Sequence, residues 1–68
     1  MKKTNLLLAL LDEALDEQGN PRACGREHCK EVIRLANELF PGPYYGDVET
    51  GMMKPAALND LRETLYNQ

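Results

Sequence analysis

Apolar and polar positions recur along this chain at helical spacing in three segments, and the first segment has the widest apolar face. Set at about 100° per residue, Leu6, Leu7, Leu8, Leu10, Leu11, Ala14 and Leu15 cover an arc of about 200°. Asp12, Glu13 and Asp16 take most of the remainder, with Ala9 among them. A surface helix needs a stripe only a little wider than about 100°. An arc twice that width has to meet two other elements, or one element and a partner chain. The pattern therefore predicts a central helix over residues 5–18. Thr4 or Asn5 would cap it with a side-chain oxygen. Gln18-Gly19-Asn20-Pro21 would stop it, since Gly19 suits a left-handed position and Pro21 cannot continue a helix.

A second helix is predicted over 24–40, with Cys29, Val32, Ile33, Leu35, Ala36, Leu39 and Phe40 on one arc and seven polar residues on the other. Pro41-Gly42-Pro43 ends it. A third helix, 55–66, opens at Pro55, a residue suited to a first helical position because its missing N–H is not needed there. Leu58, Leu61 and Leu65, with Ala57 beside them, form a narrow stripe, which makes this the outer helix. Between the second and third helices lie fourteen residues, Pro41 to Lys54. That is long for a helical domain, where connections usually run about 2–8 residues. Tyr44, Tyr45, Val48, Met52 and Met53 make it too apolar for a free linker, so it should pack over one end of the bundle. A strand-like piece around Asp47 to Thr50 has no evident partner strand. The fold expected is all-α: residues 1–68 as one small three-helix bundle with a long, partly ordered loop between helices 2 and 3. Leu7, Leu10, Leu11, Val32, Ile33, Ala36, Leu58 and Leu61 should be buried.

Size limits the chemistry available. A chain of 68 residues buries only about 60% of the surface it exposes when unfolded, so a deep pocket for a large cofactor would consume much of the core. Eight basic and eleven acidic residues give a formal charge of −3, which disfavours direct nucleic-acid binding. The start Met1-Lys2-Lys3 before Leu6 to Leu11 imitates a secretory signal, but Asp12-Glu13 ends the apolar run without a small-residue cleavage site. No stretch approaches the roughly 20 apolar residues of a membrane span. Two cysteines are too few for a disulfide framework, and a reducing cytoplasm is the expected setting.

One short segment carries potential for covalent chemistry. Cys24 would begin helix 2, where the helix dipole with Arg22 and Arg26 lowers a thiol pKa. His28, four residues on, would face the same way and could accept the thiol proton. The alternative is structural, with Cys24 filling the corner between helices and His28 edging the apolar arc. Cys24, His28 and Cys29 are one ligand short of a structural zinc site, and His28 and Cys29 diverge by about 100° on a helix. No catalytic residue, metal or cofactor is expected.

The charge layout is more informative. Arg22, Arg26, Lys30 and Arg34 form a ridge at four-residue spacing, while Asp12, Glu13, Asp16 and Glu17 gather at the end of helix 1. Both groups oppose the helix dipole. In an antiparallel helical hairpin Glu17 and Asp16 can pair with Arg22 and Arg26 across the turn. Otherwise they form a dipolar face for a charged partner. Tyr44, Tyr45, Met52 and Met53 are residue types enriched at interfaces, although in a domain this small they can equally lid the core. Leu8 and Leu15, two turns apart on one line, would be left uncovered by a narrow helix 3 and could meet a second copy in a two-fold dimer.

The resulting expectation is a non-catalytic cytoplasmic protein–protein interaction module, an adaptor or regulator. Its interface candidates are Tyr44, Tyr45, Met52 and Met53, joined by Leu8 and Leu15. The runner-up is an acidic inhibitor that mimics nucleic acid, of the phage counter-defence type, presenting Asp12, Glu13 and Asp16. A more distant alternative is thiol chemistry at Cys24 and His28.

Overall fold

The computed structural model describes residues 2–22 and 25–68. Along the chain run α1 (Lys3–Ala14), α2 (Arg26–Leu39), β1 (Gly46–Asp47), β2 (Met52–Met53) and α3 (Pro55–Tyr66). The all-α expectation is therefore corrected. The molecule is mostly helical, but the 41–54 loop folds into a two-stranded antiparallel sheet. The partner missing for a strand near Asp47 lies within the same loop, on the far side of a four-residue turn. Gly46 pairs with Met53 and Asp47 with Met52.

Helix α1 starts earlier and stops earlier than its apolar pattern implies. It begins at Lys3, with Thr4 and Asn5 inside the first turn and no side-chain cap. It ends at Ala14 because the next residues find other hydrogen bonds. Asp16 Oδ1 accepts the backbone N–H groups of Gln18 and Asn20, each at 2.9 Å. The Asp16 N–H donates to Asn20 O at 2.8 Å. A short acidic side chain that binds the backbone locally competes with helix continuation. Gly19 supplies the positive φ this turn needs. Leu15 then forms an isolated antiparallel bridge with Pro21, and the Arg22 N–H donates to Ala14 O at 2.8 Å.

Helices α1 and α2 run antiparallel: Lys3 pairs with Glu38 at 2.6 Å at one end, and Glu13 stands 3.6 Å from His28 at the other. Helix α3 also runs antiparallel to α1, since Asp12 meets Tyr66 while Asp16 meets Arg62. The expectation that helix 1 would be central holds in this respect, because α1 packs against both α2 and α3. Leu7, Leu11, Val32, Ile33, Ala36, Leu58 and Leu61 are buried as the periodicity predicts, and Leu10 is half-buried against them. Ala14, Leu15, Leu35 and Tyr45 complete the core.

The hairpin lies on α2. At Gly46 a Cβ would collide with the Met52 carbonyl and crowd the Ile33 side chain, and at Gly51 one would meet Arg26 O at 2.9 Å. Both residues have positive φ, so glycine permits the strand pairing and the close seat on the helix together. Asp47 organises the turn between the strands. Its carbonyl accepts the Gly51 N–H at 2.8 Å and its Oδ1 accepts the Glu49 N–H at 2.9 Å.

Candidate interaction surface

Consecutive residues on either side of the hairpin separate into an inner and an outer set. Tyr45 is 2% exposed and belongs to the core, whereas Tyr44 is 63% exposed. Met53 is half-buried against the core, whereas Met52 is 72% exposed. This is the alternation expected of extended backbone, where neighbours point to opposite faces. Tyr45 is fixed further by its hydroxyl, which donates to Phe40 O. Burial pushes its phenol above the usual value of 10.0. Of the four loop residues named as interface candidates, Tyr45 is thus a core residue, Met53 an anchor, and Tyr44 and Met52 are available to a partner.

Lys54 lies near both exposed residues, in space to Tyr44 and in sequence to Met52. Lys54 extends the second strand by one step, and its N–H donates to Tyr45 O at 2.8 Å. Two residues after Met52, it shares that residue's outward face, and its Nζ stands 6.0 Å from the centre of the Tyr44 ring. Lys54 thus has the Tyr44 ring within reach, and Met52 lies exposed two residues before it. Asp47, across from Met52, adds a carboxylate to the rim.

The leucine strip does not form. Leu15 leaves the helix after Ala14 and is fully buried, so it cannot face a second copy; Leu8 is half-buried. The arc that placed Leu15 beside Leu8 assumed a helix to residue 18, and the Asp16 turn removes that assumption.

Two of the acidic candidates, Asp12 and Asp16, are engaged within the fold. Asp12 accepts from the Tyr66 hydroxyl and pairs with Arg62 at 3.5 Å. Glu13 stands beside His28, and Asp16 holds the turn. The pairing of Asp16 and Glu17 with Arg22 and Arg26 across the corner is not among the ion pairs of the described residues. Arg22 Nε instead donates to Leu15 O at 2.9 Å. The ridge is divided in the same way, with Lys30 on Glu27 and Arg34 on Glu31. Asp16 is held below its ordinary 3.8 chiefly by the Asn20 N–H, with the Gln18 N–H and the charges of Arg22 and Arg62 adding to it against partial burial.

Arg62 is the residue that pattern reading missed. It is 8% exposed and donates to Leu15 O at 3.3 Å, Asp16 O at 2.7 Å and Asn59 Oδ1 at 3.1 Å. Its position was the available signal. Four residues after Leu58 and three before Leu65, it stands inside the leucine stripe, where a cation needs buried acceptors. Beside it a cleft of about 360 Å³ is lined by Asp12, Glu17, Asn59, Glu63 and Tyr66 among others. Tyr66 has its phenol raised above 10.0, first by its hydrogen bond to Asp12, then by burial and the Asp12 charge.

His28 Nε2 is buried and has no hydrogen-bond partner among the described residues. Cys24, the other half of the thiol reading, lies outside the described residues; helix 2 starts at Arg26, with Gly25 extended before it, later than the expected start at residue 24. Cys29 is buried on α2. Among the described residues no three His, Cys, Asp or Glu side chains gather as a metal ion would require, and no helix is long and apolar enough to cross a membrane. The chain matches no protein-family model, no curated protein and no solved structure.

Proposed function

We propose that this protein is a non-catalytic protein–protein interaction module of the cytoplasm, an adaptor or regulator that docks through the outer side of its hairpin. The observation that carries this reading is the exposure of Tyr44 and Met52 on a hairpin anchored by Tyr45 and Met53, which are seated in or against the core. Single exposed apolar residues are ordinary on protein surfaces. Here two large ones lie on a segment fixed by a buried anchor, so binding would immobilise little backbone that is not already ordered. Tyrosine and methionine suit the task, one as a rigid amphipathic surface and the other as an adaptable one.

The acidic-mimic reading draws less support, because Asp12 and Asp16 have hydrogen-bond partners inside the molecule. Ionic strength separates the two. An apolar contact tolerates added salt, whereas a phosphate mimic loses affinity steeply as salt rises.

Site-specific photo-crosslinking in the native host tests the proposal. A benzophenone amino acid at position 44 or at position 52 should trap the same discrete partner. The same group at exposed Asn37 on α2 should not. Met52→Asp in the position-44 variant should abolish the adduct. Absence of a discrete adduct at both hairpin positions would remove the hairpin as the docking surface.

A further inference from the structure

A second cleft opens on the opposite flank of α3 from Arg62. Ala57, Asp60, Leu61 and Thr64, spaced three and four residues apart, line it from one side of the helix, and Pro43 and Tyr45 form its other wall. Its volume is about 230 Å³. A site of about 150 Å³ is enough for a benzene-sized group, so this one has room for a single large side chain. Two of its six residues, Leu61 and Tyr45, are buried core members.

The polar atoms around it are nearly all satisfied within the protein. Thr64 Oγ1 donates to the Asp60 carbonyl, and the Tyr45 hydroxyl donates to Phe40 O. The exception is the Asp60 carboxylate. It is exposed, and among the described residues it has neither an ion pair nor a side-chain hydrogen bond. An apolar recess with one unmatched negative charge at its rim suits an apolar side chain with a cation beside it. The charge disfavours phosphates, carboxylates and nucleic acid.

We propose that this cleft binds a segment of a partner protein in which a leucine-sized side chain, seated against Leu61 and Tyr45, is followed by a lysine or arginine that meets Asp60. The proposal rests on the interaction-module reading and supplies the chemistry of the partner. Tyr44 joins the two surfaces, because it lies between the cleft residues Pro43 and Tyr45.

The test is an NMR titration of the isotopically labelled full chain with the blocked dipeptide acetyl-Leu-Arg-amide. Acetyl-Leu-Glu-amide and acetyl-Gly-Arg-amide serve as controls. Saturable shifts should appear at Tyr45, Ala57, Leu61 and Thr64. Replacing Leu by Gly in the ligand should weaken binding at least about tenfold, and replacing Arg by Glu about two- to fivefold, the scale of one exposed ion pair. Asp60→Asn, which leaves the core untouched, should erase the preference for Arg over Glu. Thr64→Leu, which narrows the cleft from its exposed rim, should weaken all three ligands.

The proposal is overturned by the absence of saturable shifts, by shifts that map elsewhere, or by an Asp60→Asn variant that keeps the preference. Movement of the same amides with protein concentration alone would show a second copy in the cleft and would equally overturn it. Crosslinking at positions 44 and 52 reports separately. An adduct there with a silent titration removes the cleft and leaves the module, while the reverse pair of results keeps the cleft and removes the hairpin surface.

Discussion

Arg62 Nη2 donates to the carbonyl oxygen of Asp16 at 2.7 Å, joining residues 46 positions apart in sequence. The same guanidinium reaches Leu15 O at 3.3 Å. Both carbonyls lie just past the end of α1, where the helix carries a partial negative charge, and each also accepts a second donor, Leu15 O from Arg22 Nε and Asp16 O from the Gly19 N–H. The side chain thus acts as a C-terminal cap delivered from another helix. Arg62→Met keeps the length and apolar stem but removes every donor, and should cost about 2–3 kcal/mol. Tyr66→Phe, at a more exposed hydrogen bond, should cost about 1 kcal/mol or less. Urea unfolding measures both. An Arg62→Met variant within about 0.5 kcal/mol of the parent would show that the cap contributes nothing.

Gly46 is the point at which the hairpin is most exposed to damage. Any Cβ there meets the Met52 carbonyl and the Met53 Cα, at a φ of 140° that side-chain-bearing residues rarely adopt. Gly46→Ala should break the pairing with Met53 and cost about 1–3 kcal/mol, the scale of strain at a single backbone position. Loss of the Gly46–Met53 cross-strand proton contacts by NMR, with the helical spectrum retained, is the expected result. An intact hairpin in the variant would contradict the close approach.

The two tyrosines should respond in opposite ways. Tyr45→Phe loses the hydrogen bond to Phe40 O and should cost about 1 kcal/mol, and Tyr45→Ala about 3–5 kcal/mol as a cavity opens in the core. Tyr44→Ala should stay within about 0.5 kcal/mol of the parent. Comparable losses at the two positions would mean that Tyr44 also carries part of the fold.

Asp16 makes stability depend on acidity. Its folded pKa lies below the ordinary 3.8, so between those two values the unfolded chain binds more protons and stability rises with pH. The contribution is complete above 3.8 and disappears as pH falls through the folded value. Asp16→Asn has no such proton to take up, so its thermal unfolding temperature should fall less steeply than the parent's from about pH 5 down to pH 2. Parallel curves would show that the carboxylate charge is not coupled to folding.

The helices and most of the core were legible because period and burial agree: Leu7, Leu11, Val32, Ile33, Ala36, Leu58 and Leu61 follow from spacing alone. What could not be read from apolar period was settled by single polar atoms or by glycine. The end of α1 depends on one carboxylate that binds the backbone N–H groups of Gln18 and Asn20, and Leu15 changed from a surface leucine to a core one with it. The hairpin depends on Gly46 and Gly51, whose allowed conformations let a loop pair with itself inside fourteen residues. Of the four loop residues named as candidates for contact, Tyr44 and Met52 are exposed. Tyr45 and Met53 were named with them because a sequence gives no way to tell which of two identical neighbours points inward. Arg62 was legible in principle, as a cation inside a leucine stripe, but its acceptors are carbonyls of a distant segment that no local pattern reveals.

The bridge between Leu15 and Pro21 bears on the order in which the molecule assembles. The hydrogen bonds of that corner span at most a few residues, apart from Arg22 on Ala14 and Leu15, so little loop entropy opposes their formation. The clasp by Arg62 closes a far longer loop and should form after the α1–α2 corner is in place. Mutations in the corner would then slow refolding. Loss of Arg62 would leave refolding nearly unchanged and let the third helix detach sooner, so its effect would appear in the unfolding rate.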